Sequence, residues 1–482
     1  MKRKHIIFTA AVFGLFVLAQ SCDKIKDFGG INNNPNATTA PVTKALLTNV
    51  ESALGNMVWG NGITISGGLY AQYFSETQYT EASRYVKPVF NMDGFYSGVL
   101  YDLQNIINYN SDPATAGAAS GNGSNADQIA IARILKAYIF WILTDTWGDL
   151  PYFEALKGEG NLAYDAQADI YADLFKELKE AADGFDSGET VQGDILFGGN
   201  ITKWKKFANS IRILMALRLS KANAALAQSE FNSALSHSAG VIESNSDNAA
   251  LDFPGGIYNH PLYQYYFITL RFDYALSETV SSFLTGNSDA RINAFGSSDV
   301  GFPYGLTRDD AVSFSGANPD WSFVLAANKR LAGSAINLIS ASQIYLARAE
   351  AAQRGWTSET VATMYSTGIQ RSWEEWGVYD ASSFGSYLTQ SAVNIATNPL
   401  QKIQTQQWLA FYPNGTQGWA NWRRTNVPAL TPAPGAGMPI PRRVPYGPND
   451  YNFNLSNVET AAAQYSVGGQ DDSQDAKVWW DQ

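Results

Sequence analysis

The stretch from about residue 125 to 147 constrains the fold more than any other part of the chain. Ile131, Ile134, Leu135, Tyr138, Ile139, Trp141, Ile142 and Leu143 cover several faces of a helical wheel, which leaves no side for water. A helix that is apolar nearly all round is stable only when other elements surround it. The spacing therefore predicts a stack of helices with this one at its centre, stopped by Gly148, Asp149 and Pro151.

Flanking segments supply the partners. Over residues 201–221, Trp204, Phe207, Ala208, Ile211, Leu214, Met215, Arg218 and Leu219 recur at three- and four-residue spacing. Lys203, Lys205, Lys206 and Arg212 fall elsewhere on the wheel, the pattern of an amphipathic helix. Residues 169–182 repeat it through Tyr171, Leu174, Phe175 and Leu178, behind a cap at Asp165 or Asp169. Residues 336–354 read as a further Ala-rich helix, closed by Arg354 and Gly355. Paired helices with Ala and aromatic contacts are tetratricopeptide-like, although no clean 34-residue period is present. Long irregular stretches at 114–123, 247–274 and 286–318 separate the helices, and loops of that length are usually functional or flexible. Beyond Pro428, Pro and Gly dominate, and the tail is expected to wrap the body as ordered coil with Trp479 and Trp480 packed down.

The first residues read as an export signal. Met1, Lys2, Arg3 and Lys4 are followed by an apolar run to Ala19, too short to cross a bilayer, which needs about 20 residues in a helix. Leu18, Ala19, Gln20 and Ser21 then precede Cys22 in the manner of a lipobox. Cys22 is the only cysteine, so no internal disulfide can form, and acylation at that position accounts for a lone thiol in an exported chain. The expected division is a lipoprotein signal peptide at 1–21, a polar tether at 22–37 and a ligand-binding body at 38–482. Loss of Lys2, Arg3 and Lys4 moves the formal charge from −11 to −14, which argues against a nucleic-acid partner.

Of three His, His5 is in the signal, and His237 and His260 lack metal-pair spacing or a cysteine beside them. No nucleophile elbow, Walker or dinucleotide fingerprint stands in the chain. Asp145, Asp149 and Glu154 form the best local acid cluster, read as helix-end and turn residues with calcium or ligand contact as the alternative. Glu374 with Glu375, and Asp309 with Asp310, are expected in solvent. Trp419, Trp422, Arg423 and Arg424 are read as a structural clamp. Aromatic residues in loops are the candidate ligand contacts: Trp59, Tyr79 and Tyr85 with Arg84, then Tyr258, Tyr263, Tyr304 and Trp321. Sugar rings have apolar C–H faces that stack on Trp and Tyr, and hydroxyls that bond Arg, Asn and Asp.

Several segments, taken in order, resemble the SusD/RagB superfamily of Bacteroidota surface lipoproteins, most closely its second SusD-like branch. They are the lipobox at Cys22; NNNPN at 32–36; GGLYAQYFSETQ at 67–78; ILKAYIFWILTDTWGDLPYFEA at 134–155; IYLARAEAAQRGW at 344–356; GWANWRRTNVP at 418–428; and IPRRVPYGPNDYN at 440–452, with Gly468 and Gly469 before Trp480. The resemblance implies a mostly α fold, with four tetratricopeptide-like helix pairs supporting a loop-rich half. It also implies a non-enzymatic role: capture of oligosaccharide at the cell surface and delivery to a SusC-like TonB-dependent transporter in the outer membrane. A peptide ligand of the RagB type is an alternative, and a surface glycoside hydrolase a more distant one. A structural calcium ion accompanies some relatives, but no matched motif assigns ligands for one here.

Overall fold

The computed structural model describes residues 41–60 and 62–482, so Cys22, the signal at 1–21 and the tether at 22–37 lie outside the described residues. The protein is about 53% helical with few strands. The scaffold helices are α1 Thr43–Leu54, α2 Gly62–Tyr70, α3 Tyr101–Ser111, α4 Asn125–Trp147, α5 Gln167–Asp183, α6 Ile201–Arg218, α7 Ala224–Leu235, α8 Ala341–Gln353, α9 Val361–Glu375, α10 Pro399–Phe411 and α11 Gly415–Thr425. Consecutive helices pack as four pairs, α4 with α5, α6 with α7, α8 with α9 and α10 with α11. Contacts of α5 with α6, α6 with α8 and α8 with α10 join the pairs into one stack. Among the described residues no helix is long and apolar enough to cross a membrane.

Helix α4 sits where its composition requires. Every residue from Ala137 to Trp147 is buried, and Ser124 caps the start by accepting from the Asp127 amide. The α5 stripe of Tyr171, Leu174, Phe175 and Leu178 is buried as its spacing predicts. The cap differs, since the Asp149 carboxylate reaches across to accept from the Gln167 amide at 2.9 Å. Helix α6 departs further from expectation. Packed by α5, α7 and α8, it is buried on all sides from Phe207 to Arg218, including Arg212. Glu230 at 2.8 Å and Ser233 at 2.9 Å compensate that guanidinium.

Residues 336–354 are not one helix. Ile336–Ile339 is strand β4, paired antiparallel with β2 at Ala249–Leu251, and only then does α8 begin. The Ile-rich run carries β propensity that a helical wheel cannot register, and its partner is remote in sequence. The 286–318 stretch holds a capped helix, Arg308–Ala317, whose exposed first turn contains Asp309 and Asp310. A second antiparallel pair joins β1 Phe74–Glu76 to β3 Tyr274–Leu276. The tail beyond Pro428 is mostly coil but contains helices Pro448–Phe453 and Leu455–Ala462 and a 3-10 turn at Ala463–Tyr465, and Trp480 near its end is fully buried.

The clamp is structural. Arg424 pairs with buried Glu350, while Arg423 donates to the carbonyls of Arg442 and Asp145, both at 2.7 Å, and lies over the Trp419 and Trp480 rings. Asp145 receives Tyr171 and Trp480 side chains and thus serves as a buried hub. Glu154 is exposed beside Lys157.

Helices α2 and α11 cross so closely that backbone meets backbone. A Cβ at Gly415 would stand 2.1 Å from the Thr64 carbonyl oxygen and 2.3 Å from the Gly68 nitrogen. Gly415→Ala is therefore expected to force the helices apart at about 1–3 kcal/mol, read as a lowered unfolding midpoint in calorimetry. An unchanged midpoint would refute that crossing.

Candidate functional site

On the loop-rich side, the C-terminal end of α1, the turn at 56–60, Ile195 and residues 251–269 enclose a cavity of about 820 Å³. This lies within the ~300–1,000 Å³ range of ligand pockets. Ile195 is held by buried Glu51 of α1, whose carboxylate accepts from the Ile195 and Leu196 amides at 2.6 and 3.1 Å. Burial, and then Asp194 beside it, push that carboxyl well above its ordinary value.

One wall is a tight hairpin. Gly255 and Gly256 adopt φ of +80° and +70°, which L residues rarely accept, and the Gly255 and Tyr258 backbones bond each other in both directions. The turn holds Ile257 and Tyr258 outward, 88% and 56% exposed. His260 then caps the next turn by accepting from the Leu262 amide at 3.1 Å. Burial, with Arg330 nearby, lowers its imidazole to about 4, so it is neutral at physiological pH. The turn widens to π geometry over Gln264–Ile268, a feature that recurs at functional sites.

Tyr265 from this turn lines the cavity, and its hydroxyl donates to Asp273 at 2.7 Å. Gln78 and Arg271 also bond Asp273, which anchors the loop to the end of the β1–β3 pair. Trp59 closes the opposite side, packed edge-on against Phe74 and Tyr265. Polar groups complete the lining. Asn56, Asp252 and Gln264 are exposed, and among the described residues none offers their side chains a partner. Asp252 is the only carboxylate lining the cavity among the described residues.

Trp59 and Tyr258, two of the residues expected at a ligand, thus meet in one cavity. Tyr263, Trp321 and Tyr79 stand outside it. Tyr263 stacks on Phe267 at 5.2 Å, and Trp321 packs against Phe323 at 4.7 Å, in a surface cluster that includes Phe272. Arg330 lies against Tyr266, Phe267 and Phe323 beneath it. Tyr79 is half-exposed between the guanidinium groups of Arg271 and Arg308.

Arg84, Tyr85 and Tyr304 are elsewhere. Arg84 donates to the carbonyls of Gly305 and Pro434, and the fully buried Tyr85 hydroxyl accepts from the Ala433 amide. Tyr304 packs on the core beside them. These three knit a loop to the tail and bring no ring to the cavity. Tyr265, Gln264, Asn56 and Asp252 were not anticipated. The density of rings at 263–267 was the available signal for Tyr265, while the polar groups carried none. Among the described residues, no group of three or more His, Cys, Asp or Glu side chains is placed to hold a metal.

Residues 35–447 match a family model described as SusD-like, starch-binding and associating with the outer membrane. A solved chitin-binding protein is 28% identical, with a TM-score of 0.76 over 91% of this chain and 99% of its own. A chitin-binding SusD homologue from Flavobacterium johnsoniae is 24% identical, with a TM-score of 0.73 over 91% of this chain and 98% of its own. A SusD homologue from Bacteroides fragilis is 24% identical, with a TM-score of 0.75 over 92% and 99%. No curated protein matches the sequence. Match length and shared fold together place this chain in the SusD-like family, whose members are described as starch-binding and associating with the outer membrane.

Proposed function

We propose that this protein captures oligosaccharide at the surface of the outer membrane, anchored by acyl groups on Cys22, and delivers it to a SusC-like TonB-dependent transporter. The cavity carries the reading. It sets the rings of Tyr258 and Tyr265, over the buried Trp59, beside the free polar ends of Asn56, Asp252 and Gln264, the pairing that sugar rings need. The chitin-binding relatives make a polymer of N-acetylglucosamine the first ligand to try, with starch oligosaccharides second. A single lining carboxylate favours capture over hydrolysis, because glycoside cleavage uses a pair flanking the scissile bond.

Tyr258→Ala tests the site. The side chain is exposed at a hairpin tip, so the unfolding midpoint should not move, while affinity for a bound oligosaccharide falls about tenfold by calorimetric titration. Unaltered affinity in Tyr258→Ala would remove the cavity from the account. Binding of extended peptides in place of every oligosaccharide tried would favour the peptide-uptake alternative.

A further inference from the structure

Behind Trp59 lies a second, smaller cavity of about 260 Å³ that shares with the first only that indole. Its mouth opens at Asn328 and Ala335, both exposed. Trp376, Phe411, Tyr412 and Leu262 supply apolar and aromatic walls, and Glu375, Asn337 and Asn414 supply polar ones. We infer that this inner cavity is a binding site for a single neutral sugar ring, separate from the oligosaccharide site outside Trp59.

Three observations carry the assignment. Glu375, expected in solvent from its sequence, turns inward at the end of α9, and its carboxylate accepts from the Asn337 amide at 2.7 Å. Burial raises this carboxyl to about 7, against the lowering effect of bonds from Asn337 and Ser340. Asn414 is 2% exposed; its Oδ1 accepts from Thr416 at 3.0 Å and from the Gln417 amide, while its Nδ2 donor has no partner. An unmade buried hydrogen bond costs about 1–3 kcal/mol, so a ligand that supplies an acceptor there is favoured. Lys329 also lines the cavity and acts electrostatically on Glu375. An anion would face the carboxylate and a cation would face the ammonium, which leaves a neutral ligand.

The wall thus asks for a molecule that donates to Glu375, accepts near Asn414 and lays a flat apolar face on the half-buried Trp376 indole. A pyranose does all three, since each hydroxyl both donates and accepts. The volume lies just under the ~300–1,000 Å³ of drug-sized pockets, which admits one ring and excludes a chain.

The test uses N-acetylglucosamine and glucose at millimolar concentration with the purified mature protein, observed by saturation-transfer NMR and by soaking crystals. At least one of these sugars is expected to show transfer and to place density between Trp59 and Trp376. Glu375→Gln removes the charge-assisted bond, and Asn414→Asp keeps the helix-capping oxygen but deletes the donor. Each should weaken binding in the inner cavity about tenfold. Absence of density in the inner cavity at saturating sugar would overturn the inference whether or not the variants fold. Transfer unchanged in both folded variants would overturn it as well. The outer site is read by oligosaccharide affinity in Tyr258→Ala, so the two proposals fail separately.

Discussion

Replacing Glu350 with Ala is expected to cost about 3–5 kcal/mol, more than any surface change in the molecule. Glu350 lies fully buried on α8 and accepts from Arg424 at 2.6 and 2.8 Å, from Arg354 at 2.8 Å and from Gln407 at 2.9 Å. Its removal strands Arg424, itself 1% exposed, in the interior between α8, α10 and α11. Burial alone would raise the Glu350 carboxyl, but Arg424 and Arg354 outweigh it and hold the group well below its ordinary value of 4.5. A carboxyl depressed by folding contributes stability that is complete above about 4.5 and is lost as the pH falls below it. Wild type should therefore lose stability from pH 5 to pH 3, measured by denaturant titration, and Glu350→Ala should lose less over the same interval. Equal slopes would show that the pair does not contribute as described.

Trp480→Ala ranks next, at about 3–5 kcal/mol for deletion of a buried indole near the end of the chain. The ring lies within 5.7 Å of the Arg218 guanidinium and 4.7 Å of that of Arg423, and its Nε1 donates to Asp145 at 2.7 Å. The cost includes a missing donor on a buried carboxylate, so Trp480→Phe, which keeps most of the packing, should retain a loss of about 1–3 kcal/mol. Limited proteolysis offers a local readout. The tail beyond 440 is expected to become cleavable in Trp480→Ala while the α4–α5 pair stays protected. Uniform protection in both variants would mean that the tail is held by other contacts.

How much of this was legible beforehand follows from what each signal encodes. Apolar residues on every face of α4 could satisfy themselves only at the centre of a helical stack, and they do. The start of α8 was not legible, because Ile336 and Ile339 find their partner in β2, and pairing between distant segments leaves no periodicity in either. Arg212 looked like a solvent-facing charge on the α6 wheel, yet Glu230 and Ser233 on α7 let it be buried.

The same limit governs the site. Of the loop rings, Trp59 and Tyr258 meet in the cavity, but exposure is a property of the assembled loops. Tyr85 carries the same chemistry as Tyr258 and is sealed by the tail amide of Ala433. Asn56, Asp252 and Gln264 come from two segments far apart in sequence that meet only in the folded chain.

The most direct test of the central claim is the crystal structure of the mature protein with a bound chitin or starch oligosaccharide. The account predicts an intact oligosaccharide with one ring on Tyr258 or Tyr265 and its hydroxyls within hydrogen-bonding distance of Asn56, Asp252 or Gln264. Sugar bound only on the Tyr79 or Trp321 surface, or recovered as cleaved products, would contradict it.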